Sequence, residues 1–162
     1  MQSADVVIIG GAAVGSATAA FLCRAGFKGR VVVVEKDPSY QWCATGRSVA
    51  SIRRQFSTRE NIELSTFGWQ YFSRIKEEYG PEAHVSLVER GYAVMASPEG
   101  AGVLRANIAL QQSLGADVEL LAPDPLKARF SWLNVDDLAG AGWGRTGEGW
   151  VDPHAHLALM RK

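Results

Sequence analysis

Three groups of residues have types and spacing that could do chemistry. Gly10, Ala12, Val14 and Gly15 form a G-x-A-x-x-G turn directly after the apolar run Val6-Val7-Ile8-Ile9. A glycine at the first position takes the backbone angles of a sharp turn. A helix opening on such a turn offers unpaired backbone N–H groups and the positive end of its dipole, which suits a diphosphate. Ala12 fills the middle position, and its one methyl group tightens the approach of a nucleotide without blocking it. Glu35 ends the second apolar run, Val31-Val32-Val33-Val34, about 20 residues after Gly15. A carboxylate there is placed to accept hydrogen bonds from an adenosine ribose and would repel a 2′-phosphate. A strand–turn–helix also serves packing alone, but with Glu35 in place the pattern points to a dinucleotide site.

The third group lies in the irregular stretch 39–56, which carries Thr45, Gly46, Arg47, Ser48, Ser51, Arg53, Arg54 and Gln55. By composition it reads as a solvated loop. By position it lies near the carboxyl ends of the strands, where open α/β sheets bind ligands. Other chemistries find little support. His154 and His156 are two residues apart and point to different faces of a helix, so no metal site is expected. Cys23 and Cys43 form no CxxC pair, and Cys23 reads as a small core residue. No Ser-His-Asp or Cys-His arrangement suggests covalent hydrolysis.

Composition bounds the rest. The chain of 162 residues has 17 Lys plus Arg against 17 Asp plus Glu, so no net charge recruits nucleic acid. The N-terminus enters the first strand within about five residues, leaving no room for a leader peptide. No apolar run approaches the ~20 residues that cross a bilayer. A cytoplasmic location is the expectation.

The elements that position these groups follow in order. A helix after Gly15 stops near Gly26, a left-handed cap. Ser57-Thr58-Arg59-Glu60 reads as a capping box with Ser57 as N-cap. The helix it opens carries a stripe of Leu64, Phe67, Tyr71, Ile75 and Tyr79 toward a core and ends at Gly80-Pro81. Residues 85–89 and 92–96 read as strands, residues 98–114 as a helix with Pro98 in its first turn, and 118–121 as a strand. A brief helix from Asp124-Pro125 and a strand over 138–143 follow. Asp152-Pro153 caps and opens a last helix, which stops after about two turns.

The runs DVVIIGGAAVGSATAAFL, VVVVEKDPSY, ATGRSVASIRRQFSTRENIELS and GEGWVDPHAHL together resemble the FAD-dependent D-amino-acid oxidase, glycine oxidase and sarcosine oxidase family. The resemblance runs through essentially the whole chain and covers the N-terminal portion of such a protein. It implies an α/β fold: a Rossmann-like FAD-binding βαβ core with the beginning of a mixed-sheet substrate-binding domain. Residues 1–83 and 145–162 would belong to the first and 84–144 to the second. FAD is the implied cofactor, its pyrophosphate at Gly10, Ala12, Val14 and Gly15 and its ribose at Glu35. The polar loop would pass along the flavin through Ala44, Thr45, Arg47, Ser48, Ala50 and Ser51. Arg53 is the first match for an arginine over the ring beside the substrate carboxylate, and Arg54 the second.

The implied chemistry is oxidation of the C–N bond of an amino acid or N-methyl amino acid, with flavin N5 accepting a hydride equivalent and the imine hydrolysing in water. An NAD-linked dehydrogenase is the alternative the first two strands alone permit. A non-catalytic, truncated nucleotide-binding chain is another. Family members continue well beyond this length, so the 162 residues alone are expected not to turn over an amine without a companion chain or a C-terminal part.

Overall fold

The computed structural model describes residues 3–161. In chain order the elements open with β1 (Val6–Ile9), α1 (Ala13–Arg24), β2 (Val31–Val34), a 3-10 turn (Thr45–Arg47) and β3 (Ser51–Ile52). Next come α2 (Arg59–Ser73), α3 (Ile75–Tyr79), β4 (Val88–Glu89), β5 (Tyr92–Ala96) and α4 (Ala101–Ser113). The chain goes on through β6 (Val118–Leu121), α5 (Pro123–Arg129), β7 (Gly140–Gly144), β8 (Gly149–Trp150) and α6 (Pro153–Met160). This is an α/β fold with mixed sheets. By packing it divides into two units, 1–50 with 75–86 and 151–162, and 51–74 with 87–150. Residues 51–74 and 145–150 thus group with the block 87–144, whereas the sequence reading places them with the nucleotide-binding part.

In the first unit β1 and β2 pair in parallel from Val6 opposite Val31 to Ile9 opposite Val34. Consecutive strands that run parallel need a crossover, and α1 supplies it. Helix α1 ends at Gly26, whose φ of +81° needs a residue without Cβ. The all-apolar strands lead one to expect cover on both faces. Among the described residues that is not met: Val6 and Ile8 are half-buried, while Val7 and Ile9 are 57% and 90% exposed. Helix α6 packs on α1 and on the 3-10 turn. Its Asp152 cap is formed as expected, the carboxylate accepting the N–H of His154 at 2.8 Å and of Ala155 at 3.1 Å.

The second unit holds two antiparallel sheets, in the orders β3-β8-β4 and β5-β7-β6. Helix α4 covers one face of the larger sheet, burying Leu104, Ile108, Ala116 and Val118 with Val94 and Ala96 packed against them. Gly142 lets the helix come close, since a Cβ there would lie 3.2 Å from Ile108 Cδ1.

Several boundaries differ from the sequence reading. Thr58, not Ser57, stands at the cap of α2 and makes no side-chain cap bond. The long helix expected from there to Gly80 breaks at Arg74 into α2 and α3. Of the expected stripe Tyr71 and Ile75 are buried, but Leu64 and Phe67 are 69% and 46% exposed, and the first turns instead bury the face of Ile62, which is wholly buried. Ser65 and Thr66 share that face, their hydroxyls donating to the carbonyls of Arg53 and Ile62. The strand expected over 85–89 shrinks to β4, because Ser86 at φ +48° interrupts the alternation. Pro98 lies in a turn before α4, and the strand read over 138–143 is shifted to Gly140–Gly144.

Candidate functional site

The turn after β1 brings together most of the residues read as a diphosphate site. Gly10 sits at φ +95° and donates its N–H to Val34 O at 2.8 Å. A Cβ on Gly15 would fall 1.8 Å from Gly10 O, so only glycine lets α1 start this close to the strand. Ala12 stands at the cap of α1 without a side-chain bond, and Val14 is 82% exposed on its first turn. The Thr45 hydroxyl accepts the Ala13 N–H at 3.3 Å, tying the polar loop to the helix start.

Glu35 is joined to the same turn. One carboxylate oxygen accepts the Gly11 N–H at 2.8 Å and the other the Asp37 N–H at 3.0 Å. These two bonds, the first above all, hold its carboxyl below the ordinary value, so it stays ionised. A carboxylate has about four lone-pair sites, so acceptor capacity remains for ribose hydroxyls. A recess of about 360 Å³ opens here, lined by Gly10, Glu35, Lys36, Tyr40, Trp42 and Cys43 among others. Nothing lies within 4 Å of where a Cβ on Gly10 would stand, so the turn has an open side. Open backbone at Gly10, a helix start and a carboxylate with spare acceptors fit a dinucleotide with its diphosphate on the turn.

The rest of the polar loop has local roles. Ala44 precedes the 3-10 turn, and the Arg47 guanidinium lies 4.3 Å from the centroid of the Trp42 ring. Ser48 Oγ accepts the Ala50 N–H at 2.8 Å, and Ala50 O accepts the Val151 N–H. Ala50 itself takes φ +47°. Tyr40, Trp42 and the recess they line are not singled out by the sequence, where 39–56 reads as irregular; two aromatics within seven positions of Glu35 are the available signal.

Ser51, Arg53 and Arg54 lie in the second unit. Ser51 pairs with Trp150 across β3 and β8. The Arg54 guanidinium donates to Thr146 O at 3.1 Å and Gly115 O at 3.3 Å, and its backbone N–H donates to Glu148 Oε1. Arg53 is held differently, its guanidinium 5.0 Å from the centroid of Phe56 and 5.6 Å from that of Tyr92. Among the described residues it forms no ion pair, and its buried Nε has no partner. A second recess, of about 400 Å³, is lined by Ser51, Tyr92, Met95, Trp132, Trp143 and Trp150 among others. Among the described residues no group of three or more His, Cys, Asp or Glu could hold a metal ion, and no helix is long and apolar enough to cross a membrane.

The family described as DAO, FAD dependent oxidoreductase, matches residues 5–162. The chain belongs to this family. The DAO family is FAD-dependent, and FAD is the cofactor that the turn and Glu35 fit. Among curated DAO-like relatives, the chain is 39% identical to "FAD-dependent oxidoreductase domain-containing protein 1" of Xenopus laevis, covering 99% of this chain and 34% of that protein. The Drosophila melanogaster homolog is 40% identical over 98% of this chain and 31% of its own length. The chain therefore spans about a third of the length of the curated relatives it matches. Among solved structures, L-proline dehydrogenase from P. horikoshii superposes with a TM-score of 0.79 at 26% identity, over 98% of this chain and 41% of that one. Glycine oxidase from Geobacillus kaustophilus has the same fold, with a TM-score of 0.76 at 22% identity, over 99% and 44%.

Proposed function

We propose that the protein is an amine oxidoreductase that acts on the C–N bond of an amino acid or N-methyl amino acid, with Arg53 anchoring the substrate carboxylate. The observation that carries this reading is the state of Arg53. Its guanidinium rests on two aromatic faces, makes no ion pair among the described residues and is left free for an incoming anion. Neighbouring Arg54 is already engaged by two backbone carbonyls. Arginine suits the task because its planar fork meets both oxygens of a carboxylate at once. Family membership and the likeness to an L-proline dehydrogenase support the reaction class.

In this account Gly10, Ala12, Val14 and Gly15 bind the diphosphate, and Glu35 fixes the ribose. Ala44, Thr45, Arg47, Ser48, Ala50 and Ser51 make up the polar loop assigned to further contacts with the cofactor. When bound, FAD would supply the redox chemistry, accepting a hydride equivalent, that is two electrons with one proton, from the carbon that bears nitrogen. The chain's own part is to hold the substrate carboxylate at Arg53 and so fix which carbon is presented. The test is to incubate the FAD-loaded chain, together with the C-terminal part or companion chain without which no turnover is expected, with amino and N-methyl amino acids and follow the carbonyl product. Release of one carbonyl product, an oxo acid or, from an N-methyl group, formaldehyde, per two electrons taken up is the expected result, and consumption of amine-free 2-hydroxy acids alone would overturn the reading.

A further inference from the structure

Glu148 is wholly buried, at 0% exposure, and nothing in the proposed reaction uses it. It stands between Gly147 and Gly149, a setting that in sequence looks like an exposed turn. Its Oε1 accepts the Arg54 backbone N–H at 2.5 Å, and its Oε2 accepts from Gln55 Nε2 at 2.8 Å. Gln55 is buried as well, and the same Nε2 donates to Tyr92 O at 2.9 Å. The backbone oxygen of Glu148 accepts the N–H groups of Arg90 at 3.2 Å and Gly91 at 3.1 Å. One residue thus fastens the 54–55, 90–92 and 147–149 stretches to each other.

Two glycines are shaped around this arrangement. A Cβ on Gly144 would lie 1.8 Å from Glu148 Oε2, and one on Gly147 would lie 2.8 Å from Arg54 Cζ. Burying a carboxylate costs free energy that an apolar residue of similar size would not. What hydrogen bonds supply in return is direction, since each fixes an angle as well as a distance. Both fixed points flank Arg53. Arg54 is the next peptide, and Tyr92 carries the ring on which the Arg53 guanidinium rests.

We propose that Glu148 is a positioning residue, which sets the backbone of 53–55 so that the Arg53 guanidinium is presented over Phe56 and Tyr92 to the substrate carboxylate. This rests on the reading of Arg53 as the anchor. The Ser65 hydroxyl, donating to Arg53 O, holds the same peptide from the α2 side.

The experiment compares Glu148→Ala, Glu148→Gln and Gly144→Ala in the FAD-loaded protein. Acetate binding is read from the flavin difference spectrum, and backbone exchange of the 52–56 peptide by mass spectrometry. Glu148→Ala is expected to weaken acetate about tenfold and to speed exchange at 52–56 at least tenfold. Glu148→Gln keeps length and one acceptor oxygen but turns an amide NH2 toward the other donor, the Arg54 N–H or Gln55 Nε2, and recovers only part of both. Gly144→Ala, whose methyl displaces Oε2, behaves like Glu148→Ala although the carboxylate is intact. Should Glu148→Ala fail to fold, the other two variants carry the same readouts. Wild-type exchange and acetate affinity in folded Glu148→Ala and Gly144→Ala would overturn the proposal, as would a Glu148→Gln variant no better than Glu148→Ala. Arg53→Ala in parallel separates the two readings. Loss of acetate binding there, with silent Glu148 variants, keeps the anchor and ends the positioning role. Unchanged acetate binding in Arg53→Ala ends both.

Discussion

Glu35 accepts the backbone N–H of Gly11 at 2.8 Å, so the carboxylate that ends β2 and the glycine turn that follows β1 are one hydrogen-bonded unit. The residue proposed to bind the ribose thus also shapes the loop proposed to hold the diphosphate. Replacing Glu35 therefore removes a ligand contact and loosens the turn together. Glu35→Ala should weaken FAD binding at least tenfold, the scale of one or two lost charge-assisted hydrogen bonds, with the fold retained. Titration calorimetry with FAD checks this, and unchanged affinity would remove Glu35 from the site.

Gly15→Ala tests the closeness of α1 to the strand it leaves. The new Cβ would stand 1.8 Å from Gly10 O, which is backbone and cannot swing aside. Overpacking of this kind costs about 1–3 kcal/mol or more. A lowered Tm with weakened FAD binding is expected. A Tm equal to wild type would show that the turn is looser than its geometry implies.

Arg53 and Arg54 should separate cleanly. Arg53→Ala is expected to cost about 1.5–3 kcal/mol of carboxylate binding, roughly ten- to hundredfold, with little change in Tm. Arg54→Ala leaves Thr146 O and Gly115 O without their donor and should lower Tm instead. Titration of each variant with acetate, beside its thermal melt, decides between them. The reverse pattern would exchange their roles.

Two carboxylates make opposite pH predictions. Backbone N–H bonds lower the pKa of Glu35, so the stability it contributes is present above its unfolded value of roughly 4.3 and is lost as pH falls through the lower folded value. Burial raises the pKa of Glu148, against the opposing pull of Arg54 and Gln55. Its protonated form is therefore favoured in the fold, and the corresponding stability is present below roughly 4.3 and lost as pH rises through the folded value. In melts run from acid to neutral pH, Glu35→Gln should flatten the acid limb and Glu148→Gln the decline above it. Variants whose pH profiles both match wild type would contradict these assignments.

The parts of the fold legible in the sequence were those set by local chemistry. The apolar runs of β1 and β2, the Asp152-Pro153 start of α6 and the left-handed stop at Gly26 each follow from a few adjacent residues. What escaped was decided by partners distant in sequence. Ser65 and Thr66 disguise the buried face of α2, because their hydroxyls are satisfied by carbonyls rather than by water. Glu148 reads as a solvent-facing residue in a glycine turn, and its carboxylate oxygens are matched by Arg54 and Gln55, more than ninety positions away. Of the candidate site, the glycine turn and Glu35 were visible as a pattern. The contrast between Arg53 and Arg54 was not, since it depends on which carbonyls lie within reach.

The most direct measurement is anaerobic reduction of the bound flavin. The FAD-loaded chain, together with the C-terminal part or companion chain without which no turnover is expected, is mixed, without oxygen, with a panel of amino and N-methyl amino acids while the yellow absorbance is followed. Bleaching is expected with at least one substrate carrying both a carboxylate and an oxidisable C–N bond, slowed at least tenfold at limiting substrate in Arg53→Ala. A protein that binds FAD yet stays yellow with every amine in the panel, or bleaches as fast in Arg53→Ala as in wild type, would contradict it.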